Sequence, residues 1–551
     1  MSIVPNKILS GAGLAMGYLL QRSLRFRASA SAYLNRTFAA PTSNQKGTWS
    51  GWVKRGTLGV SQFIFSAANY EYVRFLANDK IEISQPSATP LWTTTQVFRD
   101  PSAWYHIVVA WDTTQATAAD RCKLWVNGSQ VTAWDSAAAI TQNTAFSRWN
   151  INTYIGDIGD FQYNHTGFFD GYMADVYWVD GQQLAPSSFG QTDAVTGVWT
   201  PKKYTGTYGT NGFYLPFSNN TSATTLAYDA SGNGNNWTPN NISTTAGATY
   251  DSMTDVPTLT SATAANYCVL NPLDNNTNTI NDGNLGFVTS NAAFECSKGS
   301  MYVSSGKWYW EVVGTSSGNN GAYGIMYGNT YSTVIAYSGL TGNKAVYGTQ
   351  TAYGSTFTNN NVIGVAIDLD SATKTITFYK DNVSQGAITI TNTEPVAAYV
   401  GDFSGTANVT GSINFGQRPF SYTPPTGFKA LNTFNLPDPV IKKPNQYMDA
   451  TTYTGTGASL SITNAAGFQP DLVWAKGRSG ATDHALYDSV RGVQKQLESN
   501  NTGAETTETT GLTAFNSNGF TVGALAQVNT NTATYVGWQW KESATAGFDI
   551  V

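Results

Sequence analysis

The chain has 551 residues, more than the roughly 250 to 300 beyond which a single hydrophobic core stops growing, so two or more domains are expected. Charged residues make up 12% against about 25% in an average globular protein, aromatics make up 13%, and the net charge is −5 with no run of Lys or Arg longer than two. That balance argues against a general nucleic-acid role, which needs a basic patch, and the Thr, Asn, Gly and aromatic content suits short strands joined by tight turns.

At the N-terminus Ile8, Ala12, Ala15, Met16, Leu19 and Leu20 recur at spacings of three and four, which predicts a short apolar helix within residues 1–22. The stretch from Ile8 to Leu20 is too short to span a bilayer, so no membrane insertion is expected. Arg22, Arg25 and Arg27 precede the small-residue stretch Ala28-Ser29-Ala30, and charge at that place argues against a cleaved signal peptide. The helix reads as an anchor to a larger assembly through Ile8, Leu9, Leu14, Met16, Leu19 and Leu20. Gly11, Ala12, Gly13, Ala15 and Gly17 would let copies of it pack closely, so a homo-oligomer, with a trimer as one form, is expected.

Residues 23–217 form the first strand-rich unit, with strands at Thr48-Trp49-Ser50-Gly51-Trp52-Val53 and from Trp104 to Trp111. Asn127-Gly128 separates Lys123-Leu124-Trp125-Val126 from Ser129-Gln130-Val131, the signature of a two-residue hairpin whose central residues tolerate positive φ. Residues 218–285 lose periodicity and read as an ordered Asn/Thr/Gly-rich connector. A second strand-rich unit covers 286–435, with alternating runs at Lys307–Val313 and Val362–Leu369. Pro437, Pro439 and Pro444 mark a linker over 436–445. A third β unit covers 446–551, and the strand-like ending Ala546–Val551 suggests that the polypeptide continues beyond it. The expected fold class is all-β: consecutive antiparallel β-sandwich (jelly-roll) domains preceded by a short N-terminal helix.

Ser23–Phe26, Thr48–Arg55, Trp104–Val108, Lys123–Gly128 and Gly171–Tyr177 resemble the concanavalin A-like (laminin G or pentraxin type) modules of phage tail proteins. Gly306–Val312, Gly364–Asp370 with Ile376–Lys380, and Asn414–Phe420 followed by Pro424–Phe428 resemble a SPRY domain. Gly467–Lys476 and Gly537–Trp540 are similar to a module attached to such domains in phage tail and fibre proteins. The resemblance implies a structural protein of a tailed-phage particle: a tail fibre, tail spike or capsid fibre on the tail or particle surface, assembled in the host cytoplasm. It would hold other virion proteins through its N-terminus and bind host surface polysaccharide through its sandwiches. A secreted bacterial adhesin or lectin is the alternative, and it requires the N-terminal stretch to be a signal peptide. A polysaccharide depolymerase is the third reading, and the Glu-x-Asp-x-x-Glu strand usual in such folds is missing.

The chemistry-bearing residues are few. Cys122, Cys268 and Cys296 are odd in number and far apart, and read as buried free thiols. His106, His165 and His484 stand outside any hydrolase, zinc or phosphate-loop motif, so no catalysis is expected, and His106 reads as a packed strand residue. Laminin G and pentraxin modules often hold calcium through loop oxygens, which makes Asp157, Asp160 and Asp170, with Asp175 nearby, the candidate Ca2+ ligands. Their spacing matches no fixed calcium motif, and the competing reading is turn-forming Asp that bonds its own backbone. No other cofactor is implied. Trp92, Trp134, Trp149 and Tyr163 lie in polar surroundings suited to stacking on sugar faces.

Overall fold

Nearly every regular element of the computed structural model is a strand, in antiparallel sheets, so the chain is all-β as its composition predicts. The structure describes residues 17–551 except 69–70, 85–91, 195, 277, 291–293, 317–319 and 404–407. Among the described residues the α-helical elements are the short Ala223–Leu226 and Ala526–Asn529, and no helix is long and apolar enough to cross a membrane. Two compact units result: one runs to Pro437 and the other from Asp438 to Val551, with Asp193–Val198 grouped with the second. The division falls inside the proline-punctuated segment, where the ladder donor is missing and pairing stops.

The first unit begins with a sandwich of two sheets. Lys46–Arg55 is paired on one side with Trp104–Asp112 and on the other with Gly171–Asp180, and these three strands form the middle of one sheet. Gln62–Ala67, Glu71–Phe75 and Lys80–Ser84 run consecutively through the facing sheet. Trp49, Val53, Ile107 and Trp178 of the first sheet meet Phe65, Val73, Ile83 and Ile158 of the second in one buried cluster, which is the packing that strand alternation provides. The hairpin turn has Asn127 at φ 50 and Gly128 at φ 80, the left-handed pair that a two-residue connection needs.

Residues 218–285 are part of this body. Thr238–Asn240 extends one sheet of the first sandwich and Ser252–Met253 the other, while Leu270–Asn276 and Thr279–Asn281 join the two sheets of a second sandwich. Buried charge ties the segment down: Asp251 receives Arg25 and Arg27, and Lys54 reaches Asp255 at 2.7 Å. A single apolar cluster runs from Trp52, Trp104 and Tyr172 of the first sandwich through Met253 and Tyr267 to Trp308 and Trp310 of the second. The two sandwiches therefore share a core.

The N-terminal helix expectation needs correction where it can be seen. Ile8, Leu9, Leu14 and Met16 lie outside the described residues, and Gly17–Arg22, which include Leu19 and Leu20, are irregular rather than helical. Ser23–Phe26 pairs with Gly171–Asp180 and Ser252–Met253, and this pairing draws the preceding residues into an extended approach. Leu20 is only 5% exposed inside the shared core, its amide donates to Thr258 Oγ1 (3.1 Å), and its carbonyl accepts from Thr260 Oγ1 (2.6 Å). Leu20 is thus a core residue rather than an anchor. Leu20→Ala is expected to cost at least about 2 kcal/mol in denaturant unfolding, the lower range for deleting a buried leucine.

The second unit packs a six-stranded sheet and a three-stranded sheet around Val473, Tyr487, Leu512 and Phe520. The three cysteines are free and buried, as their spacing predicts, and burial pushes the Cys122 thiol well up.

Candidate functional site

Ile155–Ile158 pairs with Tyr33–Thr37 and Gln62–Ala67. Ile158 belongs to the sandwich core, and a Cβ on Gly156 would run into Phe38 and Trp149. Alternation therefore turns Asp157 to the other face of the sheet. There it is fully buried, because the chain leaves the strand at Gly159 (φ 96) and returns over it through a bridge between Phe161 and Thr166. The loop brings two further ligand-type groups onto Asp157: His165 Nδ1 lies 2.7 Å from Asp160 Oδ2 and 3.5 Å from Asp157 Oδ2. With both carboxyls ionised, neither oxygen of Asp157 nor Oδ1 of Asp160 has a hydrogen-bond donor among the described residues, and the two carboxyls are near enough to bond to each other when one holds a proton. Burial pushes both carboxyls far up, and the Asp160 charge adds to the effect on Asp157. The His165 ring is half-exposed and lies against Tyr33, with ring centroids 4.9 Å apart.

Asp170 does not join this cluster in the geometry seen. Its Oδ2 accepts from the hydroxyl (2.5 Å) and amide (3.2 Å) of Thr57, and its Oδ1 from the Gly283 amide (2.7 Å), which is the backbone-binding role of a structural Asp. Asp175 sits in a bulge of Gly171–Asp180 at φ 55 and accepts from the hydroxyls of Tyr18 (2.8 Å) and Tyr177 (3.0 Å). Sequence reasoning thus grouped Asp157 with Asp160 correctly in space, added Asp170 from elsewhere, and missed His165. The available signal was the short loop between Gly159 and Gly167, tight enough to return a side chain onto the strand it leaves.

His106 is buried and stacked on Trp52 at 4.9 Å. Trp199 Nε1 donates to its Nδ1 (2.9 Å), so Nε2 carries the proton and donates to Ser50 Oγ (2.9 Å). Burial lowers its pKa to about 3. Both ring nitrogens serve packing, as for a structural strand residue.

Two of the four aromatics expected to face sugars do not. Trp149 is 1% exposed, packed against Phe65, Phe38 and Trp178 in the sandwich core. Trp92 is 6% exposed, and its indole nitrogen donates to the Ala138 carbonyl (2.7 Å). Polar neighbours in sequence were misleading here because adjacent residues point to opposite sides of the chain. Trp134 is half-buried, edge-on to Trp92, and Tyr163 is 64% exposed.

A wide opening on the first unit lies elsewhere, a cleft of about 1220 Å³ between its two sandwiches. The loop Arg99–Ser102 supplies one wall. The other is built by the second sandwich, where Leu270–Asn276, Glu295–Gly299, Ala397–Asp402 and Gly321–Met326 lie side by side and present Asp274, Tyr302, Glu394 and Tyr327 at or near their ends. The Tyr302 hydroxyl donates to Asp274 Oδ2 (2.9 Å), and Asp274 Oδ1 pairs with Lys298 Nζ (2.7 Å). Tyr327 leans on Tyr347 at 6.1 Å, and the Tyr347 hydroxyl accepts from the Asn392 amide (3.2 Å). Asp100 accepts from the amide (2.9 Å) and hydroxyl (2.6 Å) of Ser102. Leu273 stands 61% exposed on the lip.

A family model described as a domain of unknown function (DUF7483) matches residues 443–549. No curated protein matches the chain in sequence. Among solved structures, the SPRY domain of human HERC1 is similar at 18% identity over 26% of this chain and 96% of that domain, with a TM-score of 0.24. A Bacteroides ovatus protein described as carbohydrate binding is similar at 13% identity over 40% of this chain, which spans 59% of that protein, with a TM-score of 0.29. The heptameric SAP-like pentraxin of Limulus polyphemus is similar at 15% identity over 30% of this chain and 78% of its own, with a TM-score of 0.22.

Proposed function

We propose that this chain is a non-enzymatic glycan-binding protein whose cleft beside Tyr302 and Tyr327 takes a neutral oligosaccharide. The observation that carries the reading is the lining of that cleft: two tyrosine rings and an exposed leucine offer apolar faces to a pyranose, while Asn271, Asn392 and Glu394 offer hydrogen bonds to its hydroxyls. Asp274 and Asp100 are held by their own partners and serve to fix the walls rather than to act as a free acid and base pair. The setting we propose is the surface of a tailed-phage particle, as a tail fibre, tail spike or capsid fibre. The chain would be a homo-oligomer joined to other virion proteins through its N-terminal segment and directed at host polysaccharide. What supports that setting is the resemblance of its strand motifs to modules of phage tail proteins.

The test is binding of the full chain to a panel of host surface glycans. Tyr302→Ala and Tyr327→Ala are each expected to weaken binding by about tenfold or more, the size of a lost aromatic contact at a binding centre. Trp134→Ala and Tyr163→Ala are expected to leave it unchanged. The reverse pattern would move the site to the first sandwich, and release of reducing ends from the glycan would overturn the non-enzymatic reading. Purified particles imaged with an antibody to the chain should carry it on their surface, and unlabelled particles would overturn the virion setting.

A further inference from the structure

We infer that Asp157, Asp160 and His165 form a binding site for a divalent transition-metal ion of the zinc class. One ligand atom from each residue lies within 4.8 Å of the other two, close enough for a single ion to bridge all three. The second, independent feature is the state of the carboxylates. Asp157 is fully buried, yet when ionised both its oxygens lack a hydrogen-bond donor among the described residues, and Asp160 Oδ1 is in the same position. Buried polar groups are normally paired, so a carboxylate with both oxygens unpartnered beside a second with one unpartnered oxygen calls for a cation. A divalent ion would offset the charge of both carboxylates.

The donor set decides which ion. Calcium takes six to eight oxygens and does not seek an imidazole nitrogen. Here the adjoining backbone oxygens already accept hydrogen bonds: Gly159 from the Phe169 amide (2.7 Å), Asp160 from Ser66 Oγ (2.8 Å) and Phe161 from the His165 amide (2.8 Å). One nitrogen and two carboxylates with a side open to solvent suit zinc and its neighbours, which accept three protein ligands and complete a tetrahedron with water. The open side is the half-exposed His165, and Tyr33 packs on its ring and limits its rotation. An ion there would clip the loop 159–168 to the strand Ile155–Ile158. Calcium was the expectation of the laminin G and pentraxin resemblance, which took in the aspartates but not the histidine that folds back on them. The site stands on a different part of the molecule from the cleft, so it neither needs nor supports the glycan reading.

The test starts from the full chain stripped with chelator and titrated with zinc chloride. Equilibrium dialysis should show a zinc ion held by the wild type, and its thermal unfolding midpoint should rise, because a ligand that binds only the folded state stabilises it. His165→Gln and Asp157→Asn should each weaken zinc binding by about tenfold or more. Calcium chloride at the same concentration should leave the midpoint where it was. His165 lies on an exposed loop, so His165→Gln keeps the test open even if Asp157→Asn fails to fold. Wild-type protein that takes up no zinc, zinc affinity unchanged in His165→Gln, or a midpoint raised by calcium and not by zinc would each overturn the inference. An apo Asp157→Asn more stable than a wild type that ignores zinc would show that the two carboxyls share a proton instead.

Discussion

Replacing Asp255 by Ala is expected to destabilise the first unit by about 3 to 5 kcal/mol, the cost of stranding a buried charge whose partner is removed. Lys54 lies in the central strand Lys46–Arg55, and both members of the pair are fully buried. Its ammonium has three acceptors at 2.7, 2.7 and 3.0 Å: Asp255 Oδ2, Asn266 Oδ1 and the Tyr267 carbonyl. The other oxygen of Asp255 accepts from Trp104 Nε1 (3.0 Å). Every hydrogen-bonding valence of the ammonium is therefore used, and the acceptors come from the segment that joins the two sandwiches. Without Asp255 the charge remains in the shared core with two neutral acceptors. The double variant Lys54→Met, Asp255→Leu should recover most of the loss, since an apolar pair of similar size removes the stranded charge along with the bond. Denaturant unfolding of the wild type, Lys54→Met, Asp255→Leu and the double variant gives the coupling directly. Losses in the two single variants that simply add in the double would show that the pair does not act as a unit. Added salt should change little, because screening does not reach a pair closed off from solvent.

The same region shows where sequence reasoning stops. Strands whose pattern is local were readable: Lys307–Val313 lies within the strand Lys307–Ser316, and Val362–Leu369 contains Val362–Asp368. The Asn127-Gly128 turn was readable because its chemistry permits few conformations. Ser252–Met253 was not, since a two-residue strand has no period and exists only because Ser23 and Leu24 leave an open edge for it. The shared core was hidden for a related reason. Trp52 and Trp104 alternate with inward-facing residues and so should face solvent in a free-standing sandwich; that they are buried depends on Tyr267 and Trp308 arriving from the next part of the chain. The candidate sites divide in the same way. Asp157 and Asp160 were visible as neighbours in sequence, whereas His165 joins them through a loop closure set by left-handed residues. Tyr302 and Tyr327 come to line one cleft only through the strand order of a sheet. Trp149 was misjudged because Arg148 and Asn150, which flank it, give no sign of the core it enters.

Acid should reveal His106. In the folded chain burial lowers its pKa to about 3, against about 6.5 for an exposed imidazole. The folded state holds the ring neutral: Trp199 donates to Nδ1, Nε2 donates to Ser50, and Trp52 lies flat against the face. As pH falls below about 6.5 the unfolded chain takes up a proton that the folded chain refuses, so stability declines. The decline continues to about pH 3, where the folded ring also protonates and the effect levels off. The loss is about 2 kcal/mol at pH 5 and about 5 kcal/mol at its full extent. Asp157, Asp160, Asp170 and Asp175, whose carboxyls burial pushes up, act with the opposite sign in the acid range, because the folded state binds their protons more readily than the unfolded state. A stability profile of the wild type alone mixes the two. The quantity to measure is the difference between wild type and His106→Gln, whose amide can accept from Trp199 and donate to Ser50 without titrating. That difference should be flat above pH 7 and should move in favour of the glutamine variant by about 1.4 kcal/mol for each unit of pH between about 6 and about 3. Parallel profiles from pH 7 to pH 4 would mean that the ring protonates without unfolding its surroundings, and that the stack of Trp52, His106 and Trp199 is open to water.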